Sequence, residues 1–191
     1  MGIDPGTNAM GYGVISVDGN KISCQVLGII DLHKIKDPYT KLDHIFRRVK
    51  GLIEAYNPDE VALESPFFGK NVQSMMKLGR AQGVAMAAAL NCGKTVSEYA
   101  PRRIKQAVAG SGSASKQQVA MMLRSLLKIN DIPDKLDATD GLAVAVCHYL
   151  QSQSEQLSTP QDKKKKALGG GRATGDSWER FVEKNPERIK K

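Results

Sequence analysis

Two runs rich in Ile and Val stand near the start of the chain, at residues 10–17 and 21–32. Asp18-Gly19-Asn20 separates them and is a hairpin turn signal. A third, shorter apolar fragment, Gly2-Ile3-Asp4, precedes them. Three successive strands joined by short turns predict an antiparallel meander. The first strand is short and lacks the apolar residues expected ahead of Asp4, so we expect either a start codon placed late or a clipped chain.

A helical period of apolar residues replaces this pattern after Leu32. It predicts a helix that begins at Asp37-Pro38 and ends at Asn57-Pro58-Asp59. Short apolar runs predict a fourth strand at 60–65 and a fifth at 94–98. Further helices are predicted over 70–90, 101–109, 116–128 and about 134–150, with Ser113 or Ser115 capping the third of these and Asp134 the fourth. The order predicts an α/β fold with a mixed five-stranded sheet, three antiparallel strands and then parallel additions, flanked by helices.

Gly79 and Gly83 lie one turn apart within the helix predicted over 70–90. Each Gly in a helix costs about 1 kcal/mol relative to Ala, so two on one face indicate that another backbone comes close. That backbone could belong to the domain's own sheet or to the same helix in a second copy of the chain. Both interpretations stay open from the sequence.

The composition changes after Gln151, where Ser, Gln, Thr and Pro dominate and four lysines precede three glycines. We therefore expect one domain over 1–150 and a flexible basic tail over 151–191, in which residues 176–184 could form a short helix. No apolar run is long enough for a membrane span, and no signal peptide is visible. The three cysteines match no zinc or disulfide spacing. These features favour a cytoplasmic protein.

Positive charge is concentrated in the middle of the chain. The net charge is +8, and between Ser65 and Asn130 ten basic residues accompany a single acid, Glu98. A solvated helical surface usually mixes both signs, so this one-sided stretch indicates phosphate binding. The basic or aromatic residues that we expect to contact DNA are Phe67, Lys70, Lys77, Arg80, Arg102, Lys105 and Lys116.

Four acids stand where they could meet. Asp4 and Glu64 each end a predicted strand, and Asp137 and Asp140 are three residues apart on the last predicted helix. Four carboxylates at one point would repel strongly unless divalent cations or protons compensate them. Oxygen ligands without His or Cys indicate Mg²⁺, with Mn²⁺ as a substitute, and two such ions per site are a common device for phosphodiester hydrolysis.

Several motifs occur in a specific order: Gly-Ile-Asp-Pro-Gly-Thr at 2–7, Gly-Tyr-Gly-Val at 11–14, Leu-Glu at 63–64, Phe67 with Lys70-Asn71, Lys77-Leu78-Gly79, Gly-Ser-Gly-Ser-Ala at 110–114, and Asp-Ala-Thr-Asp-Gly-Leu-Ala at 137–143. Together they resemble the RuvC family of bacterial Holliday-junction resolvases over about residues 2–150. The family pattern says little about the chain past residue 150.

This resemblance implies a ribonuclease-H-like fold, a homodimer, Mg²⁺ and symmetric nicking of two strands at a four-way DNA junction. It also implies a sequence preference at the cut and work alongside the RuvA–RuvB branch-migration complex. By match to the family, Asp4, Glu64, Asp137 and Asp140 would be the catalytic, metal-binding acids. Phe67 would stack on junction bases, and Lys105 and Lys116 would lie near the scissile phosphate.

Three alternatives remain from the sequence. The opening Asp4-Pro5-Gly6-Thr7 also resembles the phosphate loop of sugar kinases and actin-like ATPases, although those proteins need two such domains. A different ribonuclease-H-like nuclease, acting on RNA–DNA hybrids or in transposition, would share the acids. A non-catalytic junction-binding protein is the third, and the four intact acids argue against it.

Overall fold

The structure is a computed structural model that describes residues 1–66, 71–129 and 137–157. The side chains of Asp137 and of residues 155–157 lie outside this description. The chain divides into two compact units, Met1–Ser152 and Gln153–Lys191. The described elements that position the candidate site belong to the first unit.

Five strands form one mixed sheet. They are β1 (Gly2–Asp4), β2 (Ala9–Asp18), β3 (Lys21–Asp31), β4 (Glu60–Glu64) and β5 (Thr95–Tyr99). Their order across the sheet is β3-β2-β1-β4-β5. The first three strands pair antiparallel, whereas β1 with β4 and β4 with β5 pair parallel. The predicted mixed five-stranded sheet is thereby confirmed.

Five helices accompany the sheet: α1 (Pro38–Tyr56), α2 (Val72–Asn91), α3 (Pro101–Ala109), α4 (Lys116–Leu127) and α5 (Asp137–Leu157). Asp37 caps α1 by accepting from the Thr40 amide, and Ser115 caps α4 in a reciprocal capping box with Gln118. None of the helices in the described part of the chain combines the length and the apolar character that a membrane crossing requires.

The sheet separates two apolar cores. On one face, Ile3 and Leu63 pack with the buried residues of α1 and α2. On the other, Ala62 packs with the buried residues of α3, α4 and α5. Side chains alternate between the two faces along a strand, so Gly2 and Asp4 lie on the α5 face while Ile3 lies on the α1 face. All three cysteines are free thiols.

Two predicted helix limits are wrong. The helix α2 begins at Val72 rather than at residue 70, because the Asn71 side chain accepts from the Ser74 amide and forms the N-cap. The helix α5 continues to Leu157 rather than ending near Leu150. Residues 151–157 contain no Gly or Pro, and their Gln and Glu residues are good helix formers, so the change in composition does not end the helix. The predicted Asp134 cap and the predicted helix at 176–184 lie outside the described residues.

The two glycines of α2 do not pack onto the domain's own sheet. A Cβ atom built on Gly79 or Gly83 meets nothing within 4 Å. Both residues are exposed, and they share the outer surface of α2 with the exposed side chains of Val72, Met76 and Leu90. Packing against the sheet, one of the two interpretations open from the sequence, is therefore wrong for this chain.

Candidate active site

Asp4 and Glu64 lie at the ends of adjacent strands. The parallel register of β1 and β4 pairs Ile3 with Leu63, so each acid is the next residue after a paired position. Both line one cavity of about 240 Å³, together with Pro66, Leu78 of α2 and Pro101 of α3. The fold thus brings together two acids that are sixty positions apart in the sequence.

Glycines let α5 lie directly on the backbone of the sheet. A Cβ atom on Gly2 would lie 2.3 Å from the Gly141 carbonyl oxygen, and one on Gly141 would lie 2.5 Å from Tyr12 Cα. A Cβ atom on Gly13 would likewise lie 2.5 Å from Leu142 Cα. No side chain fits between these surfaces, so the start of α5 is held against the strands β1 and β2.

This close approach brings Asp140 within electrostatic reach of Glu64. Asp140 is the residue before Gly141, and its side chain is only 16% exposed. Lys116, the first residue of α4, places its Nζ atom 2.6 Å from Asp140 Oδ2. Asp137 is the first described residue of α5, one turn ahead of Asp140, and the position of its carboxylate lies outside the described side chains.

Glu64 has an unusual affinity for its proton. Burial, and after it the charge of Asp140, raise the pKa of its carboxyl group from 4.5 to about 7, against smaller opposing contributions from Lys116 and Lys105. The Asp140 charge therefore acts on Glu64 even though a lysine contacts Asp140. A divalent cation between these carboxylates would relieve the repulsion and favour the ionised form of Glu64.

These donors fit a hard cation. Asp4 and Glu64 at the cavity, and Asp140 near Glu64, offer carboxylate oxygens, and oxygen ligands of this kind suit Mg²⁺. Among the described side chains, from which Asp137 is missing, three or more His, Cys, Asp or Glu residues do not gather in the geometry of a metal site. The structure accordingly brings Asp4 to Glu64, and Asp140 within electrostatic reach of Glu64, without forming a closed ligand shell.

The predicted DNA-contact residues fall into two groups. Lys105 on α3 and Lys116 on α4 act electrostatically on Glu64. Arg102 on α3 packs against Gly112 of the following loop, because a Cβ atom built on Gly112 would lie 2.5 Å from Arg102 Cγ. Lys77 and Arg80 instead lie on α2, on the other side of the sheet. Phe67 and Lys70 lie outside the described residues.

Lys77 and Arg80 line a second cavity that the sequence did not reveal. This α1–α2 pocket has a volume of about 300 Å³, and its basic and aromatic lining consists of Lys36, Tyr39, Lys41, Lys77 and Arg80. Thr7, from the loop between β1 and β2, forms part of its wall. Lys41 donates a hydrogen bond from Nζ to the Thr7 carbonyl oxygen at 2.7 Å. No sequence motif marks Lys36, Tyr39 or Lys41, because only the packing of α1 against α2 brings them to Lys77.

A side-chain network ties α5 to the sheet at a distance from the acids. The Tyr99 hydroxyl lies 2.8 Å from His148 Nδ1, and His148 Nε2 lies 2.6 Å from Glu60 Oε2. Tyr99 ends β5, His148 lies on α5 and Glu60 begins β4. His148 thus fastens the helix that carries Asp140.

Comparison with known proteins identifies the family. The family model for crossover junction endodeoxyribonuclease RuvC matches residues 1–148. The crossover junction endodeoxyribonuclease RuvC of Bacteroides fragilis is 52% identical over 192 residues, covering 100% of this chain and 95% of that protein. The protein of the same name from Cytophaga hutchinsonii is 50% identical over 190 residues, covering 100% of this chain and 87% of that protein.

Solved structures agree with this match. The structure of Thermus thermophilus RuvC superposes with a TM-score of 0.73 at 31% identity, covering 81% of this chain and 95% of that one. The Thermus thermophilus RuvC structure in complex with a Holliday junction substrate gives a TM-score of 0.75 at 32% identity, covering 81% and 94%. The expected ribonuclease-H-like fold and the expected nuclease class are thereby confirmed, and the chain belongs to the RuvC family of crossover junction endodeoxyribonucleases.

Proposed function

We propose that Asp4, Glu64, Asp137 and Asp140 are the catalytic acids with which this endodeoxyribonuclease resolves Holliday junctions in DNA recombination and repair. The observation that carries this assignment is the meeting of Asp4 and Glu64 at one cavity, with the Asp140 charge acting on Glu64. Perturbed carboxyl groups in a cleft are typical of catalytic sites. The sugar-kinase and ATPase alternatives do not account for this grouping of acids.

The four acids are proposed to hold two Mg²⁺ ions per active site, with Mn²⁺ as a substitute. When bound, such ions neutralise the charge of the scissile phosphate and assist the attack of water on phosphorus. The ligands would come from β1, β4 and α5, and the backbone contact of α5 with the sheet supports this assignment. Lys105 and Lys116 add positive charge beside Glu64, where the negative charge of the phosphate would lie.

DNA binding is proposed to involve basic residues on both sides of the sheet and the aromatic loop. Arg102, Lys105 and Lys116 would contact the strand at the cut, and Lys70, Lys77 and Arg80 would contact DNA beyond it. Phe67 would stack on junction bases. Residues 1–150 would form the nuclease domain, and 151–191 would form a flexible basic tail.

A homodimer is proposed because a junction has two symmetric strands to cut. The exposed glycines of α2, flanked by exposed Val72, Met76 and Leu90, provide a surface on which the same helix of a second copy could pack closely. We further propose that the dimer acts with the RuvA–RuvB complex, in the cytoplasm, on DNA that this complex has branch-migrated.

The test compares three substrates in Mg²⁺: a synthetic four-way junction, a linear duplex and an RNA–DNA hybrid. We expect paired nicks in the junction alone, seen as two linear products on a denaturing gel and a resolved duplex on a native gel. Equal cleavage of all three substrates would refute the assignment as a junction resolvase.

The role of the acids is tested separately. Glu64→Gln and Asp140→Asn should lose junction cleavage by at least about a hundredfold, because each removes a carboxylate that would hold a catalytic metal ion, while junction binding persists. Glu54→Gln, an exposed acid of α1, is the matched control and should cut like the wild type. Loss of binding together with cleavage would show that the acids are structural.

A further inference from the structure

The α1–α2 pocket carries unbalanced positive charge. Three lysines and one arginine line it, and none of the described residues that line it is acidic. Asp37, the nearest acid along the chain, accepts hydrogen bonds from the amide and hydroxyl of Thr40 at 2.6 and 2.7 Å, which directs it to the cap of α1. Like charges confined to one cavity repel, so an anion in the pocket would be bound favourably.

The lining also suits a nucleotide rather than an isolated ion. Tyr39 lines the pocket and is 77% exposed, and Pro38, Leu42 and Ile45 supply the apolar wall. An aromatic ring beside cations is the combination with which proteins hold the bases and phosphates of a single strand. Lys41 is held against the Thr7 carbonyl, so its charge is fixed in the wall.

Two chain segments, the β1–β2 loop and α2, line both the pocket and the acid cavity. Asp4 and Pro5 line the acid cavity, and Thr7 of the same loop lines the pocket. On α2, Leu78 lines the acid cavity and Lys77 lines the pocket. Three residues of extended chain span at most about 10 Å, which is about the axial rise of three nucleotides of duplex DNA at 3.4 Å each.

We propose that the α1–α2 pocket binds a backbone phosphate of the cleaved DNA strand within about three nucleotides of the cut, with Lys36, Lys77 and Arg80 contacting the phosphate and Tyr39 contacting the adjoining sugar or base. This inference rests on the proposed function, because it places the scissile phosphate at Asp4 and Glu64. The pocket holds the strand on one side of the β1–β2 loop while the acids hold the cut site on the other.

The first test measures how binding to a synthetic four-way junction depends on salt, in EDTA so that no cleavage occurs. Lys77→Gln/Arg80→Gln should reduce the slope of log affinity against log salt by up to about one, because the loss of one phosphate contact removes about 0.9 from that slope. The matched control is Lys21→Gln/Arg47→Gln, which removes the same charge from exposed positions outside the pocket. Equal slopes for the two double variants would overturn the proposal.

The second test locates the phosphate. Neutral methylphosphonate linkages are introduced one at a time at four positions on each side of the cut. The wild type and the control variant should lose affinity at one position within about three nucleotides of the cut, whereas the pocket variant should show no further loss there. The same loss in all three proteins at every position would contradict the proposal.

Failure of the pocket and failure of the proposed function give different results. If the wild type makes paired nicks in the junction and the two double variants behave alike, only the pocket is refuted. If the wild type does not cut the junction, the proposed function itself fails. Lys36→Gln, which alters α1 rather than α2, gives an independent measurement of the same slope, and an unchanged slope for it would also count against the pocket.

Discussion

At the scale of single residues, the raised pKa of Glu64 is the electrostatic feature that would favour a cation at the proposed site. This pKa of about 7 arises first from burial and then from the Asp140 charge. In the absence of a cation, ionising this group costs free energy, since the carboxylate loses hydration and faces a like charge. A bound cation would offset this cost, because it reduces the repulsion between the two carboxylates and favours the ionised form of Glu64.

The stability of the protein in EDTA should therefore depend on pH through Glu64. The folded pKa lies above the unfolded value of 4.5, so between these values the native state retains a proton that the unfolded chain has released. The free energy of unfolding should fall as pH rises from about 4.5 to 7. Glu64→Gln should remove this fall and be more stable than the wild type by roughly 1–3 kcal/mol at pH 8, with little difference near pH 4.

Urea denaturation of both proteins at several pH values measures this effect. Glu54→Gln on the surface of α1 provides the control, because its carboxylate is 62% exposed and should show no such gain. A Glu64→Gln variant that is less stable than the wild type at pH 8 would mean that the ionised carboxylate is satisfied within the protein.

The sequence was sufficient to single out some residues of the proposed sites and insufficient for others. Asp4 and Glu64 could be singled out because a carboxylate at the end of an apolar strand is unusual, since carboxylates are rarely buried without a partner. Lys36 and Lys41 carried no such signal, since they precede or begin an amphipathic helix whose exposed face is expected to be charged. Their shared pocket depends on contact between α1 and α2, which no local pattern encodes.

At the scale of secondary-structure elements, α5 determines the precision of the site. Gly2, Gly13 and Gly141 let its backbone touch the sheet, so the position of Asp140 depends on main-chain contact rather than on side-chain packing. The sequence places Gly141 directly after the candidate acid Asp140. It did not predict the matching glycines in β1 and β2, since the register between helix and strands follows only from the assembled fold.

Gly141→Ala should therefore damage both stability and activity. Its Cβ atom would lie 2.5 Å from Tyr12 Cα, which forces α5 away from β2. We expect a loss of about 1–3 kcal/mol in the free energy of unfolding, as is typical of overpacking, and junction cleavage that falls further than the folded fraction explains.

Gly51→Ala is the matched control for this helix substitution. Gly51 lies on the exposed face of α1, and a Cβ atom there meets nothing within 4 Å. This change should stabilise the protein by up to about 1 kcal/mol through helix propensity and leave cleavage unchanged. Similar effects of the two substitutions in thermal unfolding and cleavage assays would contradict the close approach of α5.

Element boundaries were predictable where a residue enforces them. Pro101 and Gly110 bracket α3, and the predicted limits 101–109 agree with the structure, in which Gly110 adopts a positive φ of 73°. The end of α5 was missed because polar composition was taken as a stop signal, whereas only Gly, Pro or a cap ends a helix by a physical mechanism. The first glycines or prolines after Leu150 come later than Leu157.

At the scale of the whole molecule, paired cutting requires two active sites. The outer face of α2 combines open glycines with Val72 at 68% and Met76 at 55% exposure, so it presents apolar area and room for a second backbone. Two copies packed through this face would place two acid cavities in one particle. Each cavity would lie beside the contact helix, because Leu78 of α2 lines it.

Gly83→Glu should disrupt this assembly. A charged side chain in the middle of the proposed contact would have to be buried without a partner, which is strongly unfavourable. We expect light scattering to show half the wild-type mass and the remaining nicks to lose their pairing. Gly51→Glu places the same charge at another open helical glycine and should leave the mass unchanged. A Gly83→Glu variant with the mass of the wild type would exclude this face as the contact.

The 2.6 Å contact between Lys116 and Asp140 has a consequence for the order in which ligands bind. The ammonium group occupies a carboxylate oxygen that a metal ion would need, so it competes with the ion from within the chain. A DNA phosphate that attracts Lys116 would release that oxygen. Under thermodynamic linkage, DNA would then raise the affinity for metal by the same factor by which metal raises the affinity for DNA. The enzyme would load its metal most readily once substrate is in place, which limits stray hydrolysis by the free protein.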